Sequence, residues 1–310
     1  MRARTLGLSA AFGLLAAWGT VCPVAAFEPS AGMSPLAAVL GDGGSSGREA
    51  RESARKALPL ERLDGVDRRA AEKILRNPTL YRRLPIETFS CDRDLLEFSL
   101  EKPEVVVDIW RVLGISRLSL DPTAPRQWRM SDGWGTSGTL RQLHHERTPE
   151  GGTLVLLGQG GYTGPLSPQP LSGSCLLLVR YRPTSAGQDG APRHTMQVDA
   201  FLDADGVGLE VVTRTLQPLI ARSSASNLHE ICLFMSSLTA SAAENPEGVA
   251  RLAGRMTKIA PADRQTFAAI ARDIGTTAPP AVDSIAAEKL PAKLASRWLP
   301  ARQLEAERIR

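Results

Sequence analysis

The chain has 310 residues, 43% of them hydrophobic and 23% charged, with 37 basic against 33 acidic side chains. That length can bury a sizeable core and allows roughly one to two domains. A formal charge of +4 is too even for a dedicated nucleic-acid binder, which presents a basic field, so no nucleic-acid partner is expected.

Arg2 and Arg4 open the chain, residues 6–18 form an apolar run, and Val24-Ala25-Ala26 puts small residues where a signal peptidase cuts. The expectation is a signal peptide over residues 1–26, removed before Phe27, and a protein exported to the periplasm or beyond. The run is shorter than the ~20 residues a membrane span needs. Cys22 lacks the preceding Leu and small-residue pattern of a lipidation site. Export leaves Cys91, Cys175 and Cys232, an odd number with no C-x-x-C pair, so no zinc knuckle or thioredoxin-like motif is present. One disulfide plus a free thiol remains open in an oxidising compartment. Three small buried residues is the favoured reading, because Cys175 begins an apolar run and Cys232 sits on an apolar helical face.

Residues 27–47 are rich in Gly, Ser and Pro and read as a flexible linker. Residues 48–83 form an Arg-rich helical leader with interleaved acids, which suggests a solvated helical surface with a short helix over 67–75. From Leu84 the texture changes. Ile86-Glu87-Thr88-Phe89-Ser90-Cys91 alternates as a half-buried strand does. Asp92 and Asp94 are natural N-caps for a helix to Leu100, and Pro103 restarts a helix that Gly114 stops. Seven strands are predicted over 116–120, 127–131, 139–146, 153–158, 174–181, 194–202 and 209–216, joined by Gly- and Pro-bearing turns. Short strands with no helices between them indicate an antiparallel meander. A long amphipathic helix follows over 227–244, with Asn227 and Glu230 as a capping-box-like start. Two more helices, 246–259 and 261–274, belong to a helical extension over 246–275. Residues 276–310 make a charged, partly disordered tail.

The glycine-rich stretches resolve into turns. Gly133-Trp134-Gly135-Thr136-Ser137-Gly138 matches G-x-G-x-x-G, but the strand before it is polar and no acid ends the next strand to hold a ribose. It reads as a hairpin turn. Gly158-Gln159-Gly160-Gly161 lacks the Lys-Ser/Thr ending of a phosphate loop and reads as a bulge or bend. His144-His145-Glu146 is the tightest group of metal-capable side chains, yet on a strand only His144 and Glu146 share a face. No metal and no cofactor is therefore expected. There is no G-x-S-x-G elbow, and Asp203-Ala204-Asp205-Gly206 lacks the later Glu of a calcium loop. No residue emerges as catalytic.

The order of elements carries the one resemblance with content. A strand (86–91), two short helices (92–100, 103–113), a β-meander and a long helix (227–244) resemble the helix-grip fold of the START / Bet v 1-like (SRPBCC) superfamily, over residues 84–245. Leu80-Tyr81-Arg82-Arg83-Leu84-Pro85 also resembles an uncharacterised family of exported bacterial proteins. The first resemblance implies an α+β fold, a curved antiparallel sheet wrapped on a long C-terminal helix, with Leu228, Ile231, Cys232, Met235 and Leu238 facing the space between. Members of that superfamily commonly bind lipids or other apolar molecules, and some are cyclases or hydrolases.

Three functions follow as expectations. The first is an exported non-catalytic module binding an apolar small molecule or lipid, with Trp110, Trp128, Trp134, Tyr162, Met196, Phe201, Ile231 and Met235 as pocket candidates. The second is an envelope interaction protein with a filled core, working on an envelope protein partner through its leader or tail. The third is a START-like cyclase or hydrolase. Oligomeric state is not readable.

Overall fold

Two continuous apolar runs, residues 154–157 and 175–179, lie at the centre of the fold. A strand exposed on one side alternates in polarity, whereas a strand covered on both sides does not. These two runs are covered on both sides. The molecule, seen in a computed structural model, is described for residues 44–163, 171–186, 191–205 and 217–277, together with Leu294. Within them an antiparallel 8-stranded open sheet carries helices on each face, an α+β architecture.

Helices α1 (Arg48–Ala57) and α2 (Gly65–Arg76) come first, followed by strands β1 (Leu80–Arg83) and β2 (Glu87–Ser90). Helices α3 (Arg93–Glu101) and α4 (Pro103–Val112) lead into β3 (Ser119–Ala124), β4 (Gln127–Ser131), β5 (Thr136–Thr148), β6 (Gly151–Tyr162), β7 (Leu171–Thr184) and β8 (Arg193–Ala204). The chain closes with α5 (Gln217–Glu244), α6 (Pro246–Arg255) and α7 (Pro261–Thr277). Sheet order is β1-β8-β7-β6-β5-β4-β3, and β2 also pairs with β8. β1 takes the stretch of β8 from Asp199 to Leu202 and β2 the stretch from Arg193 to Met196. Between them the Leu84 amide donates to the Val198 carbonyl at 2.8 Å, and Pro85, with no N–H, breaks the ladder. The region 209–216, expected as a strand, lies outside the described residues.

Caps follow ordinary side-chain chemistry. Asp92 accepts from the Leu95 amide at 3.0 Å and starts α3, and Pro103 occupies the first turn of α4. Asn245 accepts from Gly248 at 2.8 Å and starts α6. Asn227 and Glu230 do not cap α5, which begins at Gln217 with Pro218 in its first turn. The Gly133 stretch is the β4–β5 turn: Asp132 accepts from the Trp134 and Thr136 amides at 2.7 and 3.0 Å, and Gly133 and Gly135 take φ of 72° and 110°. Pairing runs in register through Gly158–Gly161 on both sides, and the bulge sits instead between Gln142 and His144. Gly160 is needed there because a Cβ would lie 2.4 Å from the Ser137 carbonyl oxygen.

Side chains divide by strand parity into two cores. The larger holds Leu154, Leu156, Leu177, Val179, Val198, Ala200 and Leu202 against helices α3 to α7, with Phe267, Ala271, Ile274 and Leu294 included. The 246–275 extension is thus part of the main core. The smaller core holds Val155, Leu157, Leu176, Leu178 and Phe201 against Ala54, Leu58, Ala71, Ile74 and Leu75. The leader is therefore a third layer rather than a solvated surface. Its seam with the sheet is formed by Ala54 and Ala71 together with the larger Leu58, Leu63, Ile74 and Leu75. Arg62 meets Glu146 at 2.6 Å, and Asp67 meets Arg141 at 2.6 Å. Beneath them Asp199, with no exposure, accepts from the Tyr81 hydroxyl at 2.7 Å and from Arg83 and Arg180 at 2.8 Å each. Among the described residues, no helix is long and apolar enough to cross a membrane.

Candidate functional site

A cavity of about 100 Å³ lies in the larger core, between the sheet and α5. Its floor is the sheet: Leu156 of β6, Leu177 and Val179 of β7, and Met196 and Val198 of β8 share one face by strand parity. One wall comes from α3 and α4 through Leu96, Leu100, Pro103, Val106, Val107 and Trp110. Phe89 of β2 and Leu84 close the sheet edge. The roof is α5, whose Ser224, Asn227, Leu228, Ile231, Cys232 and Met235 recur at helical spacing along one stripe. Ser99, Ser224 and Asn227 are the polar members of the lining, and no Asp, Glu, His, Lys or Arg belongs to it among the described residues.

The lining is held from behind. Trp110 meets Phe234 edge to face with ring centroids 5.7 Å apart, which sets the angle of α4 against α5. Exposed His229 on α5 lies 3.0 Å from Glu87 of β2, tying the helix to the sheet edge. Burial pushes the Cys232 thiol well above its ordinary range, and it raises Cys91 and Cys175 to about 12. All three cysteines are free and buried, so they pack as small apolar groups and not as thiolate nucleophiles.

Of the eight pocket candidates, four line the cavity: Trp110, Met196, Ile231 and Met235. The other four lie elsewhere. Phe201 is on the opposite face of β8, its ring tilted against that of Tyr81 with centroids 4.9 Å apart, under the leader. Trp128 is on the cavity side of the sheet but is drawn aside, its indole N–H donating to Glu104 at 2.7 Å. Tyr162 is buried at the end of β6, where its ring would meet a Cβ on Gly135 at 3.0 Å. Trp134 is 60% exposed in the β4–β5 turn, with the Arg117 guanidinium 5.1 Å from its ring. The polar lining, Ser99, Ser224 and Asn227, was not anticipated. Its signal was the helical spacing of 224, 227, 228 and 231, hidden by the reading of Asn227 as a cap.

The histidine cluster divides as strand geometry requires. His144 and Glu146 approach to 3.9 Å, Glu146 is held by Arg62, and His145 turns to the Tyr181 hydroxyl at 3.4 Å. Among the described residues, no three His, Cys, Asp or Glu side chains converge to hold a metal. The buried acids of α4 lie off the cavity too: Glu104 accepts from Trp128, and Asp108 pairs with Arg111. No protein-family model and no curated protein matches the chain.

Proposed function

We propose that this chain is an exported, non-catalytic binding module that takes an apolar small molecule into the cavity between the sheet and α5. In that reading the sheet grips α5 as in the helix-grip fold, and the void is a place for a ligand. The carrying observation is the lining: seventeen of its twenty residues are aliphatic, aromatic, Pro or Cys, and none is ionisable apart from a thiol held neutral by burial. A reaction needing acid, base or electrophile would find no such group on these walls. The volume sets the scale, since an apolar cavity of roughly 150 Å³ accepts benzene. At about 100 Å³ the space is smaller than that, and it suits a short branched chain or one segment of a longer lipid. Export draws support from Arg2, Arg4 and the apolar run ending before Ala25-Ala26. The rival reading is a filled core with the leader or the charged tail acting on an envelope partner, and its leader half is weakened because the apolar side of the leader packs on the sheet.

Filling the cavity tests the proposal. Val198→Phe projects a ring from the floor into the void, where overpacking of a truly filled core costs about 1–3 kcal/mol. The expected result is a folded protein of unchanged or higher unfolding midpoint that no longer binds xenon or co-purifies with extractable apolar material. Unimpaired xenon binding by a folded Val198→Phe protein would overturn the assignment.

A further inference from the structure

Charge is unevenly spread along the chain. Residues 48–83 carry 11 basic against 6 acidic side chains, a larger surplus than the +4 of the whole sequence. The fold then sorts these charges by side. On α2, Asp67 turns inward to Arg141 at 2.6 Å, while Asp64 starts the helix by accepting from the Val66 and Asp67 amides at 2.9 and 2.8 Å. The exposed residues of α2 are Gly65, Val66, Arg68, Arg69, Lys73 and Arg76, and the less exposed Glu72 is taken by Arg68 at 2.8 Å. Val66, Arg69, Lys73 and Arg76 follow at spacings of three, four and three, so they form one stripe about 15 Å long. Ala71, Ile74 and Leu75, on the other side of the helix, pack on the sheet. The stripe therefore lies on the outside of the leader layer. We infer that this face of α2 docks the protein on an anionic lipid surface, independently of what the cavity holds.

Helix electrostatics alone do not account for the stripe. Lys73 and Arg76 suit the negative end of α2, but Arg69 is two turns from that end and repels Lys73 four positions on. An external plane of anions relieves that repulsion. A bilayer fits better than a soluble polyanion, because Val66 is 61% exposed at one end of the same stripe. A polymer's anions have no use for an apolar tip, whereas the boundary between headgroups and acyl chains takes apolar tips and cations from one amphipathic face. Arg55 donates to the Leu75 carbonyl at 3.0 Å, which sets the end of α1, with exposed Lys56, beside the end of α2. Because the opposite side is already packed, no helix has to form on binding, and the ordering cost is small. The chain's own tail is no substitute for the lipid, since residues 278–310 hold six basic and four acidic side chains.

Sedimentation with large vesicles tests this, using the chain from Phe27 to Arg310 so that the apolar run at 6–18 plays no part. The vesicles are phosphatidylcholine alone or mixed equally with phosphatidylglycerol. The protein should sediment with the mixed vesicles only, and high salt should release it. Each cation near an anionic membrane is worth about fivefold in binding. Arg69→Gln with Lys73→Gln and Arg76→Gln should therefore weaken binding about a hundredfold, at unchanged Tm. Val66→Ser keeps every charge and should weaken it about threefold. Arg251→Gln with Arg255→Gln and Lys258→Gln makes the same change in net charge at exposed positions on and just beyond α6, across the sheet. That variant should lose less than about threefold. Equal losses in the two triple variants would make the attraction one of net charge and overturn the assignment to α2. No sedimentation with the mixed vesicles, equal sedimentation with both kinds, or tighter binding to soluble polyglutamate than to vesicles would overturn the lipid surface. Xenon binding reports the cavity separately, so the two readings fail independently.

Discussion

Asp199→Asn tests the layered construction most directly, because one carboxylate joins leader, edge strand and sheet. Asp199 Oδ1 accepts from the Tyr81 hydroxyl and Arg83 Nε, and its Oδ2 accepts from Arg180. Arg83 continues to the Ala50 carbonyl of α1 at 3.1 Å, so the carboxylate is one bond removed from the leader helix. Burial, and then the bond to Asp199, raises the Tyr81 hydroxyl above its ordinary range and keeps it a donor. An asparagine of the same shape has one acceptor oxygen where three donors arrive. In either orientation its amide N–H faces a guanidinium or the phenol. Removing one partner of a buried ion pair costs about 3–5 kcal/mol. Arg83 and Arg180 keep 19% and 29% of their side chains exposed and recover part of that by hydration, leaving about 2–3 kcal/mol. At roughly 2–4 °C per kcal/mol for a domain of this size, Tm should fall by about 5–10 °C. Urea unfolding at pH 7 gives the same quantity independently. Limited proteolysis should cut first near α1, and xenon binding in the cavity should not change, because the cluster faces away from it. A loss under about 0.5 kcal/mol would refute the reasoning, and so would unaltered susceptibility of the leader.

Two pH dependences follow from burial. The Glu104 carboxyl is raised above its ordinary 4.5 chiefly by desolvation, so as pH climbs past that value the unfolded chain releases its proton first and the folded state loses stability. Glu104→Gln keeps an acceptor for Trp128 and removes this loss, so its stability relative to the unaltered protein should rise with pH from 4.5 upward; a difference flat between pH 4 and 8 by urea midpoints would contradict it. His145 and His194 are both lowered below 6.5 by burial. Unfolded imidazoles then take protons first, and their contribution is complete above pH 6.5 and lost below it. The double variant His145→Gln with His194→Gln should flatten the stability curve between pH 6.5 and 5, and an unchanged slope there would count against neutral buried rings.

Much of the larger core was legible because its signals are local. Asp92, Pro103 and Asn245 mark helix starts by hydrogen-bonding chemistry that needs no tertiary context. The strand from Gln127 to Ser131 has the extent that its alternation predicts. The leader was not legible in this way. Its contact residues, Ala54, Leu58, Leu63, Ala71, Ile74 and Leu75, are few and widely spaced, and the hydropathy of α1 and α2 is dominated by arginines outside that cluster. Evidence for a third layer lay elsewhere in the chain, in the unbroken apolar runs at 154–157 and 175–179. Such runs have no exposed face, so something must cover the second side. Helix α5 was misread at its start for a related reason: Asn and Glu three apart have the chemistry of a cap, but residues 217–226 are helical as well.

The cavity assignment turned on parity more than on residue type. Met196 and Phe201 are five positions apart in β8, so one strand cannot turn both to the same side. Parity alone would have removed Phe201 and brought in Val198, and across the register Leu177 and Val179. What parity cannot supply is how far a side chain reaches: Trp128 has the correct face, but its indole N–H is claimed by Glu104. Four valines, Val106, Val107, Val179 and Val198, stand on the cavity wall, and each could be one methylene larger. At about 24 cal/mol per Å³, an empty space of 100 Å³ costs the fold roughly 2 kcal/mol. A guest that fills it restores those contacts, and its free concentration then enters the measured stability as RT ln(1 + [L]/Kd). Under the proposed binding function the void and the ligand are one energetic quantity, seen once as missing packing and once as affinity.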